Sequence, residues 1–312
     1  MFSALTPHAA AFLAGLFGLL LIASLIVAGM RRSRPGVDYA ELSARVNSWW
    51  VMVGVFATAM ALSPLLSLLF LGFVSFLALK EYLSLIPTRR ADRRVLLWAY
   101  LAIPLQFYWV GIGWYGMFII FIPVYLFMLM PMRMVLIGET AGFLHAAGSL
   151  HWGLMLTVFN LSHVAYLLAL PAATNPAGGA AGLVLFLMFL TQFNDVMQYV
   201  WGKTFGKHKI IPKVSPKKTW EGFLGGVATT TLLAWGIAPW LTPLTGWEAP
   251  VAGLLIGLAG FVGDVNISAL KRDLGVKDSG NLIPGHGGIL DRVDSLTFTA
   301  PLFFHYLYYL HY

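Results

Sequence analysis

Apolar residues run in long blocks along the whole chain, near 9–30, 47–63, 65–80, 95–109, 112–131, 152–171, 179–201, 221–241, 249–267 and 290–310. An α-helix needs about 20 such residues to cross a bilayer, so the pattern predicts ten spans. The shorter blocks are read as tilted, re-entrant or merged. The first block, about Ala9 to Met30, is followed by Arg31, Arg32 and Arg34. It is too long for a signal-peptide core and its basic residues lie on the wrong side, so it reads as a retained helix. The expected fold class is all-α, a polytopic membrane helical bundle of about ten transmembrane helices. Residues 1–175 form its N-terminal helical part and residues 176–312 carry the two polar loops with chemical character, 202–220 and 268–289. The Gly- and Pro-rich stretch Ala172 to Gly182 reads as a turn before the seventh span.

Composition agrees. Hydrophobic residues make up 59% of the 312 positions and charged residues 11%, against about 25% charged in a soluble domain, and the mean hydropathy is +0.77. Such a chain cannot cover a water-facing surface. With no cysteine, disulfides and thiolate metal sites are excluded. The formal net charge of +7 admits anionic lipid, an anionic substrate or nucleic acid as partner, and its location decides. If ten spans alternate from an outside N-terminus, the cytoplasmic segments are about 31–46, 80–94, 132–151, 202–220 and 268–289. All 20 Lys and Arg fall in those segments or at their immediate edges, as the positive-inside rule demands. Lipid and anionic substrate are therefore the expected partners, nucleic acid is not, and a second copy of the chain stays admissible.

Three groups of residues carry candidate chemistry. The segment Gly202 to Gly222 holds Lys203, Lys207, Lys209, Lys213, Lys217 and Lys218 before its first acid, Glu221. Lysines set among Gly and Pro suit a polyphosphate, with Ser215 and Thr219 adding hydroxyls. A solvated loop against anionic headgroups is the competing reading. Next, Asp195, Asp264, Asp291 and Asp294 lie in or beside spans, where an ionised carboxylate needs a partner or a task. Asp291 and Asp294 are three apart, on one face of a helix, and oxygen-only ligands suit Mg²⁺. Paired charges, or for Asp291 a helix-dipole role, are the structural alternatives. Finally, Gly285, Gly287 and Gly288 flank His286 after Pro284, forming a loop whose amides can approach an anion. His286 is either a general acid or a hydrogen-bonding member of that loop.

These residues fall into a pattern. Ser268-Ala269-Leu270-Lys271-Arg272, then Lys277-Asp278-Ser279-Gly280, then Ile283-Pro284-Gly285-His286-Gly287-Gly288-Ile289-Leu290-Asp291-Arg292-Val293-Asp294, closely resemble the hallmark of the phosphatidate cytidylyltransferases. Asn194-Asp195, Tyr199, Gly202-Lys203, Phe205-Gly206-Lys207, Lys213 and Ser215-Pro216-Lys217-Lys218-Thr219-Trp220-Glu221-Gly222 agree with a second block. The resemblance covers roughly residues 180–300. It implies a bacterial inner-membrane enzyme, its site facing the cytoplasm, that joins CMP from CTP to phosphatidic acid, giving CDP-diacylglycerol and pyrophosphate. On this reading Asp264, Asp291 and Asp294 hold Mg²⁺, with room for a second cation, and act with Lys271 and Arg272 as the catalytic set. Lys203, Lys207, Lys213, Ser215, Lys217, Lys218, Thr219, Lys277, Asp278, the 285–288 loop and Arg292 bind substrate, and Asp195 ligates or orients a lysine. The chain departs from a common bacterial G-D-L-x-E-S pattern at Ile267, where a glutamate beside the metal is expected. A CTP-dependent enzyme acting on another lipid phosphate, and a lipid transporter, are the rival readings.

Overall fold

The computed structural model describes residues 5–34, 36–285 and 287–312. Among them ten long helices follow one another: α1 (Pro7–Ser33), α2 (Ala40–Leu62), α3 (Pro64–Leu85), α4 (Arg93–Gly111), α5 (Tyr115–Val135), α6 (Phe143–Ala169), α7 (Gly179–Phe205), α8 (Trp220–Leu241), α9 (Glu248–Asp273) and α10 (Leu296–His311). Each coincides with one predicted apolar block. Seven of them, all but α2, α4 and α10, are long and apolar enough to cross a membrane. The described residues form no strand; two isolated bridges, Lys209 with Thr219 and Ile283 with Gly287, tighten the polar loops. This is an all-α, multi-pass membrane bundle.

Local chemistry sets the helix ends. Thr6 and Ser63 cap α1 and α3 by accepting from Ala9 N and Leu66 N, each followed by a proline at the first helical position. Three differences from the sequence reading have local causes. α6 begins at Phe143, nine residues before the predicted block, because His145, Gly148 and His151 dilute an otherwise helical stretch. The turn expected from Ala172 gives way to α7 already at Gly179. The last block is broken: a short helix, Leu290–Val293, stops at Asp294 and Ser295 before α10 starts. Both α5 and α6 contain a π-helical turn, at Phe121–Leu126 and Met155–Asn160. In α5 the turn holds Pro123, which has no N–H to give the regular ladder.

Glycines let the C-terminal helices approach closely, as expected where apolar lipid supplies no drive for helix association. A Cβ at Gly226 would lie 2.4 Å from Gln198 Cγ of α7, and one at Gly253 would lie 2.5 Å from Ala234 Cβ of α8. α6 is the most buried of the seven long apolar helices and α1 the least. α1 turns Leu19, Leu21, Ile22, Leu25 and Ile26 outward, to lipid. Contacts between elements place the start of α2, the ends of α3, α7 and α9 and the start of α10 at one end of the bundle. The start of α1, the end of α8, the start of α9 and the end of α10 lie at the other.

Candidate active site

The acids of α7, α9 and the break before α10 converge at the basic end of the bundle. Gly260 and Gly263 permit it: a Cβ at Gly263 would lie 2.5 Å from the Asp294 carbonyl oxygen, and one at Gly260 3.0 Å from Asn194 Nδ2. α9 therefore lies directly against the Asn194-Asp195 turn of α7 and against Asp294-Ser295. Lys218 Nζ sits 2.7 Å from Asp264 Oδ2 and donates to Gln198 Oε1 at 2.9 Å. The other Asp264 oxygen accepts from Ser268 Oγ at 3.1 Å. Ser295 joins the two remaining acids, its hydroxyl donating to Asp195 Oδ1 at 3.1 Å and its amide to Asp294 Oδ1 at 2.8 Å. Asp195, Asp264 and Asp294 interact electrostatically, with Lys218 and Arg292 in reach of Asp195 and Lys271 in reach of Asp294.

Asp291 has a different setting. Its Oδ1 is 2.6 Å from Lys271 Nζ, and the two side chains are 5% and 11% exposed. Its Oδ2 accepts from Ser279 N at 2.8 Å, Ser279 Oγ at 3.0 Å and Gly288 N at 3.0 Å. Its two oxygens thus hold four protein donors, against two on Asp264, and Asp195 rather than Asp291 interacts with Asp264 and Asp294. The amide of Gly288, expected to face a phosphate, is likewise spent on Asp291. Gly285 and Gly287 take φ of +74° and +80°, which only glycine adopts without strain, and a Cβ at Gly287 would meet Asp291 Oδ2 at 2.6 Å. His286 lies outside the described residues.

The lysine loop folds back on itself. Trp220 N donates to His208 O, Ile210 N donates to Lys218 O, and Thr219 caps α8 by accepting from Gly222 N at 3.2 Å. Glu221 accepts from the amides of Lys207 and His208 and pairs with His208 Nδ1 at 2.6 Å. Lys203, Lys207, Lys213 and Lys217 are exposed and Ser215 is half-buried, whereas Lys218 alone of the loop lysines is recorded on a carboxylate. Arg272 stays outside the acid cluster; it donates to the carbonyls of Val214 and Val276 and straps the loop to the end of α9. Lys277 and Asp278 are exposed beyond it. Ile267 is 0% exposed in the apolar core. Among the described residues no three acids or histidines form a ready-made metal cluster.

Four participants were given no role in the sequence reading: Ser279, quoted within the motif, and Ser295, Gln198 and Glu81. Glu81, in the last turn of α3, accepts from Ile289 N at 2.9 Å, Leu290 N at 2.8 Å and Ser279 Oγ at 3.0 Å. An acid next to Lys80 at a helix end reads as a solvated pair. Its actual partners are backbone amides, which leave no mark in a sequence.

The model of the cytidylyltransferase family matches residues 43–310. The chain is 48% identical over 297 residues to the uncharacterized protein YnbB of Escherichia coli strain K12, covering 95% of this chain and 97% of that one. It is 49% identical over 115 residues to a phosphatidate cytidylyltransferase of Synechocystis, covering 36% of this chain and 39% of the relative. With that of Haemophilus influenzae it shares 42% over 132 residues, covering 41% and 46%. The match thus spans less than half the length of these two phosphatidate cytidylyltransferases.

Proposed function

Since the chain belongs to the cytidylyltransferase family and is a membrane-embedded nucleotidyltransferase, we propose that it transfers CMP from CTP to phosphatidic acid. The observation that carries the reading is Lys218 held against Asp264, with Asp195 and Asp294 alongside, where a lysine-rich loop meets apolar helices. There a water-borne triphosphate and a lipid phosphate can meet. A phosphate oxygen of the lipid attacks the α-phosphorus of CTP, the bond to the bridging oxygen breaks, and pyrophosphate leaves. The nucleophile is already anionic near neutral pH, since the second pKa of a phosphoester is about 6, so no dedicated base is required. What the protein must provide is charge neutralisation and alignment.

In this scheme Lys203, Lys207, Lys213 and Lys217 bind the triphosphate, while Lys218 holds Asp264 in place. Asp195, Asp264 and Asp294 are the residues that would hold Mg²⁺. Their donors are all oxygens, which suits an ion that takes one or two carboxylates plus substrate phosphates. Bound there, the ion neutralises phosphate charge. We take this face to lie on the cytoplasmic side of a bacterial inner membrane, and the one-sided distribution of Lys and Arg supports the cytoplasmic side.

A second reading, transfer to a different lipid phosphate, is favoured by one fact. A similarity covering nearly the whole chain is to an uncharacterized protein, whereas the phosphatidate enzymes above match over less than half their length. Pyrophosphate release from CTP, measured with phosphatidic acid, lysophosphatidic acid and a polyprenyl phosphate, separates the two. Release that requires Mg²⁺ and phosphatidic acid is expected. Release driven better by another acceptor supports the second reading, and release indifferent to every acceptor refutes both.

A further inference from the structure

The loop between α9 and α10 is held by the N-terminal half. Ser48 Oγ of α2 donates to Pro284 O at 2.8 Å, and Arg45 lies against Gly285, where a Cβ would be 3.1 Å from its Cγ. The firmest grip is that of Glu81. One of its oxygens takes the Ile289 amide; the other takes the Leu290 amide and the Ser279 hydroxyl, across 198 to 209 residues of chain. The loop backbone runs directly over this carboxylate: a Cβ at Gly288 would lie 2.3 Å from Glu81 Oε2, and one at Gly280 3.1 Å from Oε1. From the other side Asp291 takes Ser279 and Gly288. Ser279 and the stretch Gly288–Leu290 are therefore clamped between two carboxylates, one from each half of the molecule.

We propose that Glu81 is a positioning residue for the site, fixing through Ser279, Ile289 and Leu290 the segment that carries Asp291 and Asp294. The inference rests on reading the acid cluster as the centre of nucleotidyl transfer. Asp294 lies four residues beyond Leu290, one helical turn, and its neighbour Ser295 holds Asp195. A shift of the Ile289-Leu290 amides is thus passed straight to the acids. Removing Glu81 also leaves the Ile289 and Leu290 amides without their acceptor, which backbone groups out of water do not tolerate, while the Ser279 hydroxyl keeps Asp291.

The test uses full-length protein in nanodiscs, with Glu81→Gln and Glu81→Ala. Hydrogen exchange of the peptide spanning 279–292 reads the clamp directly: the Ile289 and Leu290 amides should exchange at least about tenfold faster in Glu81→Ala, with Glu81→Gln in between. CMP transfer should show kcat lowered by about tenfold or more in Glu81→Ala, partly recovered in Glu81→Gln, with KM for CTP within about twofold of wild type. Thermal denaturation of both variants guards against simple misfolding, and the near-isosteric Gln decides if Ala unfolds. Unchanged exchange at 289–290 would overturn the proposal, as would unchanged kcat in a folded Glu81→Ala. A wild type that transfers CMP to no acceptor would instead sink the functional reading, and the exchange result would still decide the role of Glu81.

Discussion

Asp264 and Asp291 bear the same functional group, yet their surroundings assign them different work. Asp264 is a quarter exposed and its lysine partner sits in the lysine-rich loop, so the pair is open to a substrate. Asp264→Asn should leave the protein folded while lowering CMP transfer by about tenfold or more, as loss of a site ligand or its orientation commonly does. Turnover alongside thermal denaturation checks this. Asp291 and Lys271 are almost fully buried. Removing one partner of such a pair strands a charge and costs about 3–5 kcal/mol, so Asp291→Ala should unfold at markedly lower temperature. Lys271→Ala/Asp291→Ala should lose less than the two single variants summed, which a double-mutant cycle measures. In the sequence Asp291 and Asp294 looked alike, because their i, i+3 spacing reports a shared helix face and nothing about what lies opposite it. The sequence did single out Lys218, Asp264 and Asp294, which lie together in the fold. It could not separate Asp291 from them, since Ser279 and Gly288 reach it only through a folded loop.

At the scale of helices, glycine placement decides which surfaces meet. Gly263 has the Asp294 carbonyl where a methyl would go, whereas Gly236, in the middle of α8, has nothing within 4 Å. Gly263→Ala should therefore push α9 off the Asp294-Ser295 break and lower both stability and turnover. Gly236→Ala should be neutral or slightly stabilising, since alanine exceeds glycine in helix propensity by about 1 kcal/mol. Parallel melting curves distinguish these outcomes. Helix positions were readable because hydrocarbon demands apolar runs of a set length. The break at Asp294-Ser295 was not, because Leu290, Val293 and Leu296 keep a helix-like spacing across it and only the closeness of α9 shows why the chain turns there.

Across the molecule, the basic residues divide one end of the bundle from the other. Single cysteines replacing Pro216 in the lysine loop and Trp247 at the opposite end, both exposed, should react with impermeant thiol reagents from opposite sides of the membrane. Labelling from the same side would refute the alternating arrangement. The π-helical turn of α6 reaches across this architecture as well. Ser75 Oγ of α3 donates to the Thr157 carbonyl inside that turn at 2.6 Å, and Tyr82 of α3 lies across Gly153, its hydroxyl donating to Ser149 O at 2.7 Å. A Cβ at Gly153 would come within 2.2 Å of the Tyr82 ring. In mechanical terms α3 is a shaft with two keys, and its azimuth is fixed by α6. A side-chain tip stands about 5–6 Å from a helix axis, so a rotation of roughly 20° would carry the Glu81 carboxylate about 2 Å sideways. Hydrogen bonds at 2.8 to 3.0 Å do not survive such a displacement. Ser75→Ala combined with Gly153→Ala, both remote from the acids, should therefore speed amide exchange at Ile289 and Leu290 by severalfold, slipping the key from mid-membrane.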